Sequence, residues 1–261
     1  MINNTTIKQV SETKFLGVII DEKLNWEAHT KYLTKKLASA TGMLNRIKDN
    51  IPTHLHASLY HTLFESHLSY GITVWGGISN NKLLSIFRVQ KRCLRILFGD
   101  REEYLDKFKT CARTRPFTEQ ILGSEFFEKE HTKPIFSTNK FLTIHNLHSY
   151  HCCMDILKFL KFRIPISLYS LFTFSKRKPT LIITPQPTQH FVYSSGITWN
   201  AIRSPIGITD ISDTKLGSFK QKLKSFIINL QNLGDKDEWE LGNMRVSGTT
   251  ITNLKHELSR C

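Results

Sequence analysis

The sequence predicts a mainly α-helical protein, with an N-terminal β-hairpin, a three-helix bundle and a less regular helical region behind it. Three observations carry that expectation. Apolar residues recur three and four apart over long stretches between positions 25 and 100. Two β-rich runs sit close together at the N-terminus, Thr5 to Val10 and Thr13 to Ile20. The 261 residues are 40% hydrophobic and 11% aromatic, a composition that can bury a sizeable core and excludes a disordered chain.

The two β-rich runs are separated by Ser11 and Glu12, a two-residue hairpin signal. The second, "KFLGVII", is nearly all apolar, so both of its faces expect cover that one hairpin cannot supply. Asn25 is placed to cap a helix ending near Asn50, with Leu33, Leu37, Ala40, Leu44 and Ile47 as its inward stripe. Lys31, Lys35, Lys36, Arg46 and Lys48 fall mostly off it. Thr53 opens a second helix to about Tyr70, with Leu55, Leu59, Leu63 or Phe64, and Leu68 inward. Gly71, Gly76 and Gly77 punctuate "GITVWGG" after it.

A third helix is expected from Asn80 to Phe98, with Ile86, Val89, Cys93 and Ile96 as its apolar row. Its cations Arg88, Lys91, Arg92 and Arg95 fall at i, i+3, i+4 and i+7, hence on one face. Like charges so spaced repel by a few tenths of a kcal/mol per pair. A phosphate backbone would remove that cost, and a solvated basic face is the plain alternative.

Positions 101–134 form a poorly defined linker, alternating charge in "CARTRP" and "FFEKEHTKP". Between 135 and 233 the pattern is helical but less regular. "KFLTIHNLHSYHCCMDILKFLKF" reads as one or two helices, and Pro165 to Leu171 allows a short one. Ser175 to Gln189 is a basic, Pro-interrupted loop, and "FVYSSGITWNAI" reads as a strand or turn leading into a packed Trp199. The last helix, Gly217 to Leu230, turns Phe219, Leu223, Phe226 and Leu230 inward and Lys220, Lys222 and Lys224 outward. Positions 234–261 are a loose polar tail.

Charge narrows the function. Lys and Arg outnumber Asp and Glu 36 to 22, a formal net charge of +14, which points to a polyanionic partner such as nucleic acid. Five scattered cysteines make no disulfide framework and favour a reducing compartment. "MINNTTIKQV" lacks the apolar core of a signal peptide, and no run reaches membrane-span length, so the expectation is an intracellular, soluble chain, cytoplasmic or nuclear.

Chemistry is sparse. Two-metal polymerases and nucleases need clustered carboxylates, but here no two aspartates are adjacent, and Asp235 and Asp237 lie in the polar tail. His145, His148 and Cys152 share a helical face in "HNLHSYHCC", with His151 beside them. A structural zinc site would want a second ligand pair, so surface histidines beside two buried cysteines are expected instead. No nucleophile elbow or phosphate-loop motif is present. No catalytic, cofactor or metal site is expected.

In order, "FLGVIIDEKLNWEAHTKYLTKKLASATGML", "LYHTLFESHLSYGITVWG" and "LLSIFRVQKRCLRILFG" resemble the C-terminal part of the reverse transcriptase of non-LTR (LINE-type, jockey-like) retrotransposons. "SSGITWNAI" and "FKQKLKSFII" extend the resemblance, which covers roughly Thr5 to Leu230. It implies that positions 1–24 are a remnant of the palm and 25–100 a thumb-like bundle. Phe15, Leu16 and Gly17 would match the primer-grip hairpin, and Gln90, Lys91, Arg92 and Arg95 a phosphate-contacting thumb helix. Ser66, Tyr70, Gly71, Trp75 and Gly76 match a packing and turn segment of that family.

The family's F-x-D-D strand lies upstream of F-L-G-V and is not in this sequence. The resemblance therefore implies a fragment of an RNA-directed DNA polymerase without its palm, not an enzyme by itself, with Mg²⁺ expected only alongside that palm. RNA or an RNA–DNA hybrid is the expected partner. A truncated gene, a decayed insertion without selected function, a structural or interaction module, and a subunit acting in trans with a separate palm all stay open.

Overall fold

The computed structural model describes residues 10–99, 132–163, 166–169, 172–174, 181–182, 191–208, 211 and 214–233. The helical fold expected from the pattern is present, with a small two-stranded hairpin at its N-terminal end. The expectations for 101–131 and for the tail lie outside the described residues.

The hairpin pairs β1 (Glu12–Phe15) with β2 (Val18–Asp21), antiparallel, Phe15 opposite Val18. Its turn is Leu16–Gly17, which corrects the expected break at Ser11–Glu12: "FLG" is the tip and not the middle of a strand. Both turn residues have positive φ, 45° and 83°. That is the twist a two-residue hairpin needs, and glycine supplies it at no steric cost.

Past β2, Asp21 gathers the chain. Its carboxylate accepts the backbone N–H groups of Lys23 at 3.1 Å, Asn25 at 2.9 Å and Trp26 at 2.7 Å. Burial opposes its ionisation, but those N–H groups outweigh it and hold the carboxyl below its ordinary range. Helix α1 (Glu27–Ile47) is capped by Trp26 in a left-handed conformation rather than by Asn25, with no side-chain cap bond. Asp21 satisfies the entry from outside the helix. Leu33, Leu37, Ala40 and Leu44 are buried along the expected stripe.

The next helix mixes windings. Short turns at Lys48–Asn50 and Thr53–Leu55 lead to α2 (His56–Leu59), a π-wound segment Tyr60–Glu65, and α3 (Ser66–Ser69). The cap position there is Pro52, not the expected Thr53. The buried row is His56, Tyr60, Phe64 and Leu68, four apart throughout, while Leu55 is exposed and Leu59 and Leu63 are half-buried. A strict spacing of four drifts round an α-helix, and the slower-turning π segment brings it back into line. Phe64 and Leu68 are inward as expected, whereas Leu55, Leu59 and Leu63 give way to His56 and Tyr60.

After Gly71 (φ 61°), α4 (Ile72–Trp75) buries Trp75 completely. Its Nε1–H donates to the Tyr70 carbonyl at 3.0 Å. Helix α5 (Asn80–Phe98) has the expected bounds and runs alongside α1. Lys82 Nζ donates to the Asn25 carbonyl at one end, and Lys48 Nζ to the Ile96 carbonyl at the other, both at 3.2 Å.

Beyond residue 131 come α6 (Lys133–Thr138), α7 (Ile144–Phe162), α8 (Ile166–Tyr169), strands β3 (Thr173–Phe174) and β4 (Leu181–Ile182), α9 (Phe191–Ile206) and α10 (Leu216–Leu233). "FVYSSGITWNAI" is thus helical, not a strand or turn; tertiary packing of Trp199 and Ile202 overrides its β-branched and glycine content. Asn200 mimics a strand partner, donating to the Leu181 carbonyl at 2.9 Å and accepting its N–H at 3.0 Å.

Residues 141–150 are all buried, so the start of α7 lies in the core. One apolar cluster runs through the helices from Trp26 to Leu230. Among the described residues, no helix is long and apolar enough to cross a membrane.

Candidate nucleic-acid interface

The exposed hairpin tip is built by its own turn and by a neighbouring ring. The Tyr70 hydroxyl donates to the Leu16 carbonyl at 2.7 Å, and the Tyr70 ring lies against Gly17. Phe15 and Leu16 are 62% and 74% exposed, so the predicted hairpin residues stand outside the core. At its base, the Ile19 N–H donates to His29 Nδ1 at 3.3 Å. Burial lowers the proton affinity of His29, consistent with a ring nitrogen that accepts. Lys14 of β1 places its Nζ 5.0 Å over the Tyr32 ring, a cation on the hairpin itself.

The four cations of α5 divide. Arg88 and Arg92 are exposed, four apart on one face, and make no ion pair among the described residues. Lys91 is half-buried with Nζ 4.8 Å over the Phe87 ring. Arg95 is only 9% exposed. Helical periodicity alone puts Arg95 with Arg88 and Arg92, and only the fold around the helix end covers it.

Gln90 goes further inward. Fully buried, its Nε2 donates to Tyr60 Oη and to the Leu142 carbonyl, each at 2.9 Å, and its Oε1 accepts the Ile144 N–H at 3.0 Å. Gln231 of α10 does the same from another side. Its Oε1 accepts the Thr143 N–H at 2.9 Å and Asn146 Nδ2–H at 3.0 Å, and its Nε2 donates to the Phe141 carbonyl at 3.0 Å. The two glutamines pin the entry to α7, where helical N–H groups would otherwise lack partners.

The hairpin and the α5 cations are not brought into contact by any hydrogen bond or ion pair among the described residues. Lys82, where α5 meets the start of α1, lies about 9 Å along the axis from Arg88 and about 15 Å from Arg92. The outer surface is a spaced pair of features: an apolar tip and a two-arginine face.

The histidine cluster is not a surface one. His145 and His148 are buried, and His148 Nε2 lies 3.4 Å from Cys152 Sγ. His145 meets the Phe87 ring edge-on, centroids 5.5 Å apart. The N-terminal half of α7 is covered all round, so its polar positions are buried with its apolar ones. Among the described residues, no three His, Cys, Asp or Glu side chains are grouped to hold a metal. The described cysteines are unbridged, and burial pushes the Cys93 thiol up to about 12.

Sequence pattern does not reveal Gln90 or Gln231 as core pins, nor Asp21 as the organiser of the hairpin exit. Only Asp21 had a local signal, a turn-forming residue just before a helix start.

Over 99 residues, 37% of this chain, the sequence is 31% identical to the Retrovirus-related Pol polyprotein from type-1 retrotransposable element R1 of Bradysia coprophila. The match spans about 10% of that polyprotein's length. No family model matches the chain, and no solved structure does. The likeness supports a retrotransposon-derived protein.

Proposed function

We propose that this chain is a non-catalytic, sequence-independent binder of RNA or an RNA–DNA hybrid, derived from the thumb side of a non-LTR retrotransposon reverse transcriptase. The observation that carries the reading is the outer face of α5, where Arg88 and Arg92 project together without an acidic partner among the described residues. Two guanidinium groups at that spacing repel each other and suit successive phosphates. The formal charge of +14 and the likeness to a Pol polyprotein support the same reading. Polymerisation and Mg²⁺ binding form no part of this proposal, because no two aspartates are adjacent in residues 1–261 and two-metal chemistry uses clustered carboxylates.

The test is a titration of two RNA–DNA hybrids of unrelated sequence at low salt. Equal affinities within about threefold are expected for backbone recognition. Absence of binding, or strong preference for one sequence, would sink the reading.

A second role has its own observation. All four residues of β1 are exposed and its outer edge is unpaired among the described residues, with Phe15 and Leu16 at the tip. Such an edge is a template for strand addition, so the hairpin fits a docking element for a separately encoded palm sheet. Polymerase activity that appears only on mixing with a palm fragment would support it, and no association of the two would refute it.

A further inference from the structure

A cleft of about 540 Å³ opens between the π-wound segment Tyr60–Glu65, α7 and α10. Phe141, Leu147, Met154 and Leu216 contribute an apolar lining. Lys220 and Lys224 of α10, four apart and so on one face, join the same lining with Lys158 of α7. Lys158 is partly neutralised by Asp155 at 3.3 Å, whereas Lys220 and Lys224 make no ion pair among the described residues. Glu65, the carboxylate of the lining, is engaged by His61 Nδ1 at 2.9 Å.

We propose that this cleft binds a nucleoside phosphate, with its phosphate against Lys158, Lys220 and Lys224 and its base and sugar over the apolar lining. Lysines act as point charges on phosphate oxygens, and three of them around one concavity match a dianion better than a single carboxylate. The volume falls in the range of small-molecule sites and exceeds what bare phosphate needs. The apolar lining would have no partner if inorganic phosphate were the ligand.

The site is separate from the α5 arginine face proposed above to meet nucleic acid. Gln90 points from α5 toward Tyr60 and Leu142, on the cleft side. Arg88 and Arg92 lie two residues to either side of it, roughly 160° round the helix. Loss of one site therefore leaves the other readable.

The experiment is calorimetric titration of the full chain with adenosine 5′-monophosphate, adenosine and inorganic phosphate. The nucleotide is expected to bind at least tenfold more tightly than either part alone. Lys220→Glu with Lys224→Glu should weaken it by tenfold or more at unchanged melting temperature, while Arg88→Ala with Arg92→Ala should leave it intact. Should the lysine pair melt early, Lys220→Gln with Lys224→Gln keeps the question open to the same reading. Nucleotide binding no tighter than adenosine or phosphate, or unchanged in a folded lysine variant, would overturn the proposal.

Discussion

Two stretches of irregular backbone, 22–26 and 141–143, are each held by polar side chains, one near the surface and the other in the core. At the first, Asp21 takes three N–H groups of a loop that water can reach. At the second, Gln90 and Gln231 serve backbone groups of residues 141–144, all buried. The bonds are of similar length, but their worth differs with depth. A net hydrogen bond contributes about 1 kcal/mol, whereas a buried group left without its partner costs about 1–3 kcal/mol. The core pins should therefore dominate stability, and the hairpin end is left free to vary for function.

The largest expected effect tests the core side. Gln90→Leu strands the Ile144 N–H and the Leu142 carbonyl together, so urea unfolding should show a loss of about 3 kcal/mol. A loss under 1 kcal/mol would mean that depth does not set the difference. Gly76→Ala comes next. A methyl there would meet the Ile72 carbonyl at 2.5 Å and the His148 ring at 2.7 Å, so a loss of about 2 kcal/mol is expected from overpacking.

Asp21→Ala, at the surface, should cost only about 1 kcal/mol, as the loss of a helix cap does. Its pH dependence sharpens the contrast. The folded carboxyl lies below its ordinary range, so its contribution is complete above the unfolded value of about 3.9 and is lost as pH falls through the folded one. The wild type and the variant should converge in stability on acidification.

The smallest effect concerns the hairpin base. His29 accepts the Ile19 N–H, and its folded proton affinity is lowered by burial. A lowered histidine contributes fully above its unfolded value, about 6.5, and loses that contribution as pH falls toward the folded one. Exchange of the Ile19 amide, corrected for intrinsic rate, should therefore be faster at acid pH while the amide of Ile144 is unaffected.

The same contrast explains which parts of the fold are legible in the sequence. Helices α1, α5 and α10 each have one dry and one wet face, so spacing alone predicts Leu37, Leu44, Leu223 and Leu230 as buried. The start of α7 has no wet face, so His145 and His148 cannot be told from surface residues by pattern. The hairpin turn is misplaced by a polar Ser-Glu pair when Gly17 is the residue with the needed backbone freedom. In the candidate interface, Arg88 and Arg92 follow from periodicity. The burial of Gln90 and Arg95 does not, because it depends on elements more distant in the chain.

The most direct measurement is the salt dependence of hybrid binding by the wild type and by Arg88→Ala with Arg92→Ala, two exposed positions whose loss should leave stability within about 0.5 kcal/mol. The double variant should bind every hybrid more weakly, with a slope of log affinity against log salt that is shallower by about two. An unchanged slope in a folded double variant would contradict the proposal.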